Sequence, residues 1–199
     1  MDGGDQAFWY LTRATGLVSF VLLTGSVALG LLMTGKAASR LRRNATYDLH
    51  RFVALLTLIL TVVHTFIVLP DAFIGFSVWE LLVPFASPYR ATYMALGTLS
   101  LYLMGVVIAT FYMRPFVPYS AWRAIHYATF AVFVMALVHG IGAGSDGGTV
   151  WAQALYWASG GLVLALLGLR VAKSLAASNS RRVNSPSALG VASSEQTPV

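Results

Sequence analysis

Five stretches of this chain are apolar for long enough to cross a lipid bilayer: about Ala14–Thr34, Leu49–Leu69, Ala91–Tyr112, Ala121–Ile141 and Val150–Ala172. Roughly 20 helical residues cover the hydrocarbon thickness of about 30 Å. Within that layer each segment must satisfy its own backbone hydrogen bonds, so such a chain folds as helices packed side by side. The expected fold class is all-α integral membrane, a five-helix transmembrane bundle. Composition agrees: 57% of residues are hydrophobic and 10% are charged, outside the range of soluble domains.

The loops set an orientation. Lys36, Arg40, Arg42, Arg43 and Arg51 follow the first span or open the second, Arg114 and Arg123 join the third to the fourth, and Arg170, Lys173, Arg181 and Arg182 close the fifth. These are eleven of the thirteen Lys and Arg residues. The other side holds Asp2, Asp5, Asp71, Glu80 and Asp146, with Arg13 and Arg90. Basic loops stay in the cytoplasm, so the expected protein is a multi-pass cytoplasmic-membrane protein with its N-terminus outside and C-terminus inside. The net charge of +6 reflects that asymmetry, with membrane lipid as the partner and no nucleic acid. The first span opens with aspartates and lacks a basic leader, so it reads as a span and not as a cleaved signal.

Between the second and third spans, Asp71–Ser87 is apolar but broken by Gly75 and Pro84, with Pro70 and Pro88 at its edges. With Trp79 and Glu80 in its middle, it is expected as a short piece at the outer interface. Trp9, Trp151 and Trp157 are expected near the outer face and Trp122 near the inner one, as interfacial aromatics. The domain expectation is an extracytoplasmic tail over residues 1–12, a membrane domain over 13–173, and a disordered cytoplasmic tail over 174–199, where large apolar residues become scarce.

The chain has four histidines. His50 and His64 lie 14 residues apart on the second span; His126 and His139 lie 13 apart on the fourth. Each pair spans about 20 Å of helix. With one span between them, both helices run the same way, so His50 faces His126 near the inner side and His64 faces His139 near the outer side. Ionisable residues within a span are costly and mark function. Two imidazoles at one depth are the axial ligand set of a six-coordinate haem b, and two depths make two stacked haems. Zinc fits less well, because pairs about 20 Å apart cannot share one tetrahedral ion. A proton relay would need an acidic partner near mid-membrane. The chain has no cysteine, which excludes thioether attachment and iron–sulfur ligation. Fourteen residues rotate a helix to within about 40° of whole turns; thirteen leave the second pair about 140° out of line. Either the fourth span is distorted between Tyr127 and Val138, or its two side chains reach around different sides of the helix.

The double spacing, an intervening span, and the strings TyrAspLeuHisArg at 47–51 and AlaTrpArgAlaIleHisTyr at 121–127 resemble the ferric reductase-like transmembrane domain. That superfamily includes NADPH oxidases, ferric reductases and a haem-binding subunit of a methionine sulfoxide reductase system. The resemblance covers about Arg13 to Lys173 and implies a bis-haem b bundle with His50, His64, His126 and His139 as iron ligands. Many relatives have a further helix before this core, and the oxidases continue into a flavin and nicotinamide region. No glycine-rich dinucleotide loop follows a strand here, so the chain reads as a stand-alone core, with an arginine-rich composition that suggests a bacterial source.

Haem propionates call for cations at the membrane edge. Arg51 and Arg123 flank the inner histidine pair, and Arg13 and Arg90 are the basic residues near the outer pair. For the inner two, ordinary flanking charge serves equally well. Gly16, Gly25, Gly30, Gly97 and Gly105 are expected to allow close helix approach and room for the macrocycles. The expected function is transfer of single electrons between a cytoplasmic or membrane donor, a separate reductase or a quinol, and an extracytoplasmic acceptor. The alternatives are a quinol-oxidising subunit feeding an extracytoplasmic reductase, and a haem-free transporter or assembly protein.

Overall fold

The computed structural model describes residues 3–33, 40–70 and 75–183, with side chains for 7–33, 44–70 and 75–180. Lys36, Asp71 and the part of the expected tail beyond Val183 lie outside the described residues, as do the side chains of Asp2, Asp5, Arg40, Arg42, Arg43, Arg181 and Arg182. In chain order the helices are α1 (Gly3–Leu32), α2 (Arg40–Ile67), α3 (Val78–Leu82), α4 (Ala91–Tyr112), α5 (Tyr119–Tyr127), α6 (Thr129–Ala143) and α7 (Val150–Val183). Five segments among them are long and apolar enough to span: Ala7–Leu32, Asn44–Ile67, Ala91–Tyr112, Tyr119–Ala143 and Val150–Ser180. The protein is an all-α, multi-pass membrane protein.

Two helices extend beyond the apolar spans expected from sequence. Gly3–Thr12, expected as tail, forms the opening turns of α1. At the other end α7 continues past Lys173 to Val183. Leu175, Ala176 and Ala177 are strong helix formers, and with no proline before Pro186 the sequence gives the helix no stop at Lys173.

Prolines set the break between α4 and α5. Pro115 sits inside a short 3-10 turn over Arg114–Phe116 between α4 and α5, and Pro118 stands at the start of α5, because proline cannot continue a helix past its first turn. Before α4, the short α3 is fixed by a capping box. Ser77 N–H donates to Glu80 Oε2 at 2.8 Å and Glu80 N–H donates to Ser77 Oγ at 3.3 Å, which satisfies two orphan donors of the helix start. Its terminal carbonyls are taken by α4: Thr98 Oγ1 donates to Leu81 O at 2.8 Å, and the Tyr102 hydroxyl donates to Leu82 O.

α2 packs chiefly against α1, and α6 chiefly against α4. Helix α1 also contacts α6 and α7, so it forms the spine of the bundle. Its buried face is Phe20, Leu23, Val27 and Leu31, packed with Leu101, Met104, Val132, Phe133, Tyr156 and Val163. The Phe20 ring stacks on Phe133 at 5.8 Å and meets Tyr156 edge-on at 5.2 Å. Outside this core many large apolar side chains are exposed, among them Phe52, Ile59, Val106, Trp157 and Leu164. In water such a surface would be a liability; against lipid it costs nothing.

Candidate functional site

Helices α2 and α5–α6 carry the histidines, and each leans on a neighbour, so the two leave space between them. Two cavities occupy that space. The one on the side expected to be inner, called the inner cavity, is about 490 Å³ and lined by His50 and His126; the other, called the outer cavity, is about 250 Å³ and lined by His64 and His139. Leu23, Met104 and Val132 line both, and all three are buried. A single apolar layer therefore separates the cavities.

The structure brings His50 to His126, with ring centroids 6.3 Å apart and planes at 77°. It brings His64 to His139 at 6.4 Å and 78°. The 13-residue pair is aligned by a break in the helix. Ala128 separates α5 from α6, and its N–H donates to Ile125 O, three residues back, at 3.0 Å. Such a 3-10 turn winds at about 120° per residue against the 100° of an α-helix, which rotates α6 toward closing the gap. The break is held by Thr129, whose Oγ1 donates to His126 O at 2.8 Å.

Three of the imidazoles sit on the same substructure. His64 Nδ1 donates to Thr12 O at 2.9 Å, His50 Nδ1 to Ser26 O at 2.9 Å, and His139 Nδ1 to Tyr93 O at 2.8 Å. A carbonyl can only accept, so in each ring Nδ1 carries the proton and Nε2 presents its lone pair. Four residues after each carbonyl stands a glycine. A Cβ at Gly16 would lie 2.8 Å from His64 Cε1, one at Gly97 2.7 Å from His139 Nδ1, and one at Gly30 3.4 Å from His50 Cε1. These glycines make room for imidazoles, a closer role than the helix approach expected from sequence. His126 has no such seat. Its ring stacks on Trp122 at 5.2 Å and 19°. Trp122, expected as an interfacial aromatic, lines the inner cavity with its Nε1 buried and without a partner.

The four candidate arginines are placed differently. Arg51 and Arg123 line the inner cavity. Arg51 lies 5.5 Å from the Tyr112 ring, and Arg123 Nη2 donates to the Tyr127 hydroxyl at 3.3 Å. Arg13 lines the outer cavity, where its guanidinium lies 4.1 Å over Trp9 and makes a two-pronged pair with Asp146. Arg90 is not among the residues lining that cavity; it donates to Gly142 O. It caps α4 in the left-handed region, φ 44°, a conformation unusual for a residue with a Cβ. Sequence patterns do not disclose the three carbonyls, the Asp146 pairing, or the role of Arg170, a flanking charge by position that lines the inner cavity. The i, i+4 spacing of Gly16, Gly30 and Gly97 to their carbonyls becomes a signal only once the facing helix is known.

Among the described residues no group of three or more His, Cys, Asp or Glu side chains is arranged to hold a metal ion. The family described as ferric reductase like transmembrane component matches residues 15–138, a stretch that takes in His50, His64 and His126 and stops one residue before His139. No curated protein matches the chain.

Proposed function

Since the chain belongs to the ferric reductase like transmembrane component family, an electron-transfer superfamily, we propose that it carries single electrons across the membrane on two non-covalent haems b. His50 and His126 would hold the inner one, and His64 and His139 the outer one. The observation that carries this reading is the pair of near-identical imidazole gaps, 6.3 and 6.4 Å between centroids. One ion between two imidazole nitrogens at about 2 Å each, with roughly 1 Å from each nitrogen to its ring centre, separates the centroids by about 6 Å. The hydrogen bonds support it further, because Nδ1–H held by a carbonyl is the usual arrangement behind a metal-binding Nε2. Two histidines at each level without a third ligand would suit an iron held within a macrocycle.

Held by His50 and His126 and by His64 and His139, haem b would supply a one-electron carrier at each level. The chain's own residues do the rest. Thr12, Ser26 and Tyr93 fix ring orientation and tautomer through their carbonyls. Arg51 and Arg123, with Arg170 beside them, give the inner cavity the cations that propionates require. Arg13 lines the outer one but is paired with Asp146, and Arg90 closes α4 onto α6 through Gly142. Leu23, Met104 and Val132 form the dry partition between the carriers. The eleven-to-two division of Lys and Arg supports an N-terminus outside and the inner cavity facing the cytoplasm, where a separate reductase or a quinol would donate. An extracytoplasmic acceptor would be served from the side of His64 and His139.

Pyridine haemochrome analysis of the detergent-purified chain should give two haems b per chain. His64→Ala or His139→Ala should remove the outer haem, and His50→Ala or His126→Ala the inner one. A haem-free protein, or losses that pair His50 with His139, would overturn the reading.

A further inference from the structure

The four histidines are not held alike. On α1 the two seats lie 14 residues apart, carbonyl to carbonyl from Thr12 to Ser26 and glycine to glycine from Gly16 to Gly30. On α4 the same step from Tyr93 and Gly97 arrives at Val107 and Phe111. Neither serves His126. The Val107 carbonyl accepts the Thr110 hydroxyl at 2.9 Å, and Phe111 brings a ring into the inner cavity where a glycine would leave space.

His126 is held instead from within its own helix. Trp122, four residues earlier, lies parallel to it at 5.2 Å, and Tyr119, one turn earlier still, stacks on Trp122 at 5.8 Å and 27°. The Arg114 guanidinium lies 4.8 Å from the Trp122 ring centre. Tyr119, Trp122 and His126 share one face of α5 at i, i+3 and i+7, and α5 ends one residue after His126. A stacked ring fixes the plane of its neighbour but allows it to turn and slide within that plane; a hydrogen bond to Nδ1 fixes rotation and protonation as well.

We propose that Trp122 is the positioning residue of His126, replacing with an indole face the carbonyl and glycine that seat the other three imidazoles, and that His126 is therefore the ligand that yields first to an incoming neutral ligand. This rests on the two-haem reading and assigns within it which ligand is labile and what restrains it.

The test uses the full-length protein in detergent, with Trp122→Leu, which keeps an apolar side chain without a ring face, and Trp122→Phe, which keeps the ring. Two readouts follow: the low-spin ferric electron paramagnetic resonance signals, which report imidazole-plane angles, and carbon monoxide uptake after dithionite reduction. Uptake exchanges the imidazole nitrogen for the carbon of carbon monoxide, with no electron transferred. In Trp122→Leu one of the two ferric signals should move, and uptake should rise about tenfold, the equilibrium equivalent of one lost aromatic contact, to one equivalent per chain. Trp122→Phe should behave as wild type. Loss of the inner haem alone from Trp122→Leu also supports the proposal, since His64→Ala in the same background would then leave no haem. Two retained haems with unchanged signals and uptake would overturn the proposal while leaving the two-haem reading intact, and so would changes confined to the outer haem. A haem-free wild type would overturn both.

Discussion

Arg13 and Asp146, 133 residues apart, tie the N-terminal third of α1 to the loop between α6 and α7. Arg13 Nε donates to Asp146 Oδ2 at 2.6 Å, and Nη2 reaches Oδ1. Thr12, the residue before, holds His64, so the pair fixes the part of α1 that seats an outer histidine. The side chains are 26% and 15% exposed. Breaking a fully buried pair costs about 3–5 kcal/mol, while an exposed one is worth about 0–1 kcal/mol. Asp146→Asn should therefore destabilise by about 1–2 kcal/mol, seen as a melting temperature about 2–8 °C lower by circular dichroism. An unchanged melt would mean that the pair contributes nothing net.

The glycine seats predict a graded series. Gly16→Ala and Gly97→Ala place a methyl 2.8 and 2.7 Å from the outer imidazoles, whereas Gly30→Ala leaves 3.4 Å at the inner one. A ring pinned by its carbonyl cannot retreat without losing that bond. Haem per chain should fall from two toward one in the first two variants, with loss from the outer site, and stay near two in Gly30→Ala. Equal loss in all three would show that the seats do not control the rings.

Thr129 supplies the hydroxyl that caps the helix break. Thr129→Val keeps shape and branching but leaves His126 O without the Oγ1 donor, at a cost of about 1 kcal/mol. Thr129→Ser should restore the bond and the stability. The expected readout is a melt about 2–4 °C lower for valine than for serine, together with faster transfer of the inner haem to apomyoglobin. Indistinguishable melts would remove Thr129 from the account.

Orientation is testable apart from haem. A fluorescent reporter joined after Val199 should mature in the cytoplasm, and an alkaline phosphatase joined there should be inactive, since eleven of thirteen Lys and Arg lie on that side. The reverse pattern would exchange the inner and outer assignments of both histidine pairs.

The axial layout of the bundle is written in the order of its residues. Runs of about 20 apolar residues must be helices because a bilayer offers the backbone no other partner, and all five appear, the third with the expected bounds Ala91–Tyr112. A fixed rise per residue turns position along a helix into depth, which is why the spacing alone discloses that His50 faces His126 and His64 faces His139. The short piece around Trp79 and Glu80 is legible too, and appears as α3, although the capping role of Glu80 is not. Whatever relates one helix to another around its axis came from packing. The turn at Ala128, the carbonyls of Thr12, Ser26 and Tyr93, the glycines beneath three imidazoles, the stack of His126 on Trp122, and the capture of Arg13 by Asp146 and of Arg90 by Gly142 are of this kind. Depth is a local property that sequence spacing carries, whereas azimuth and partner depend on contacts between segments far apart in the chain.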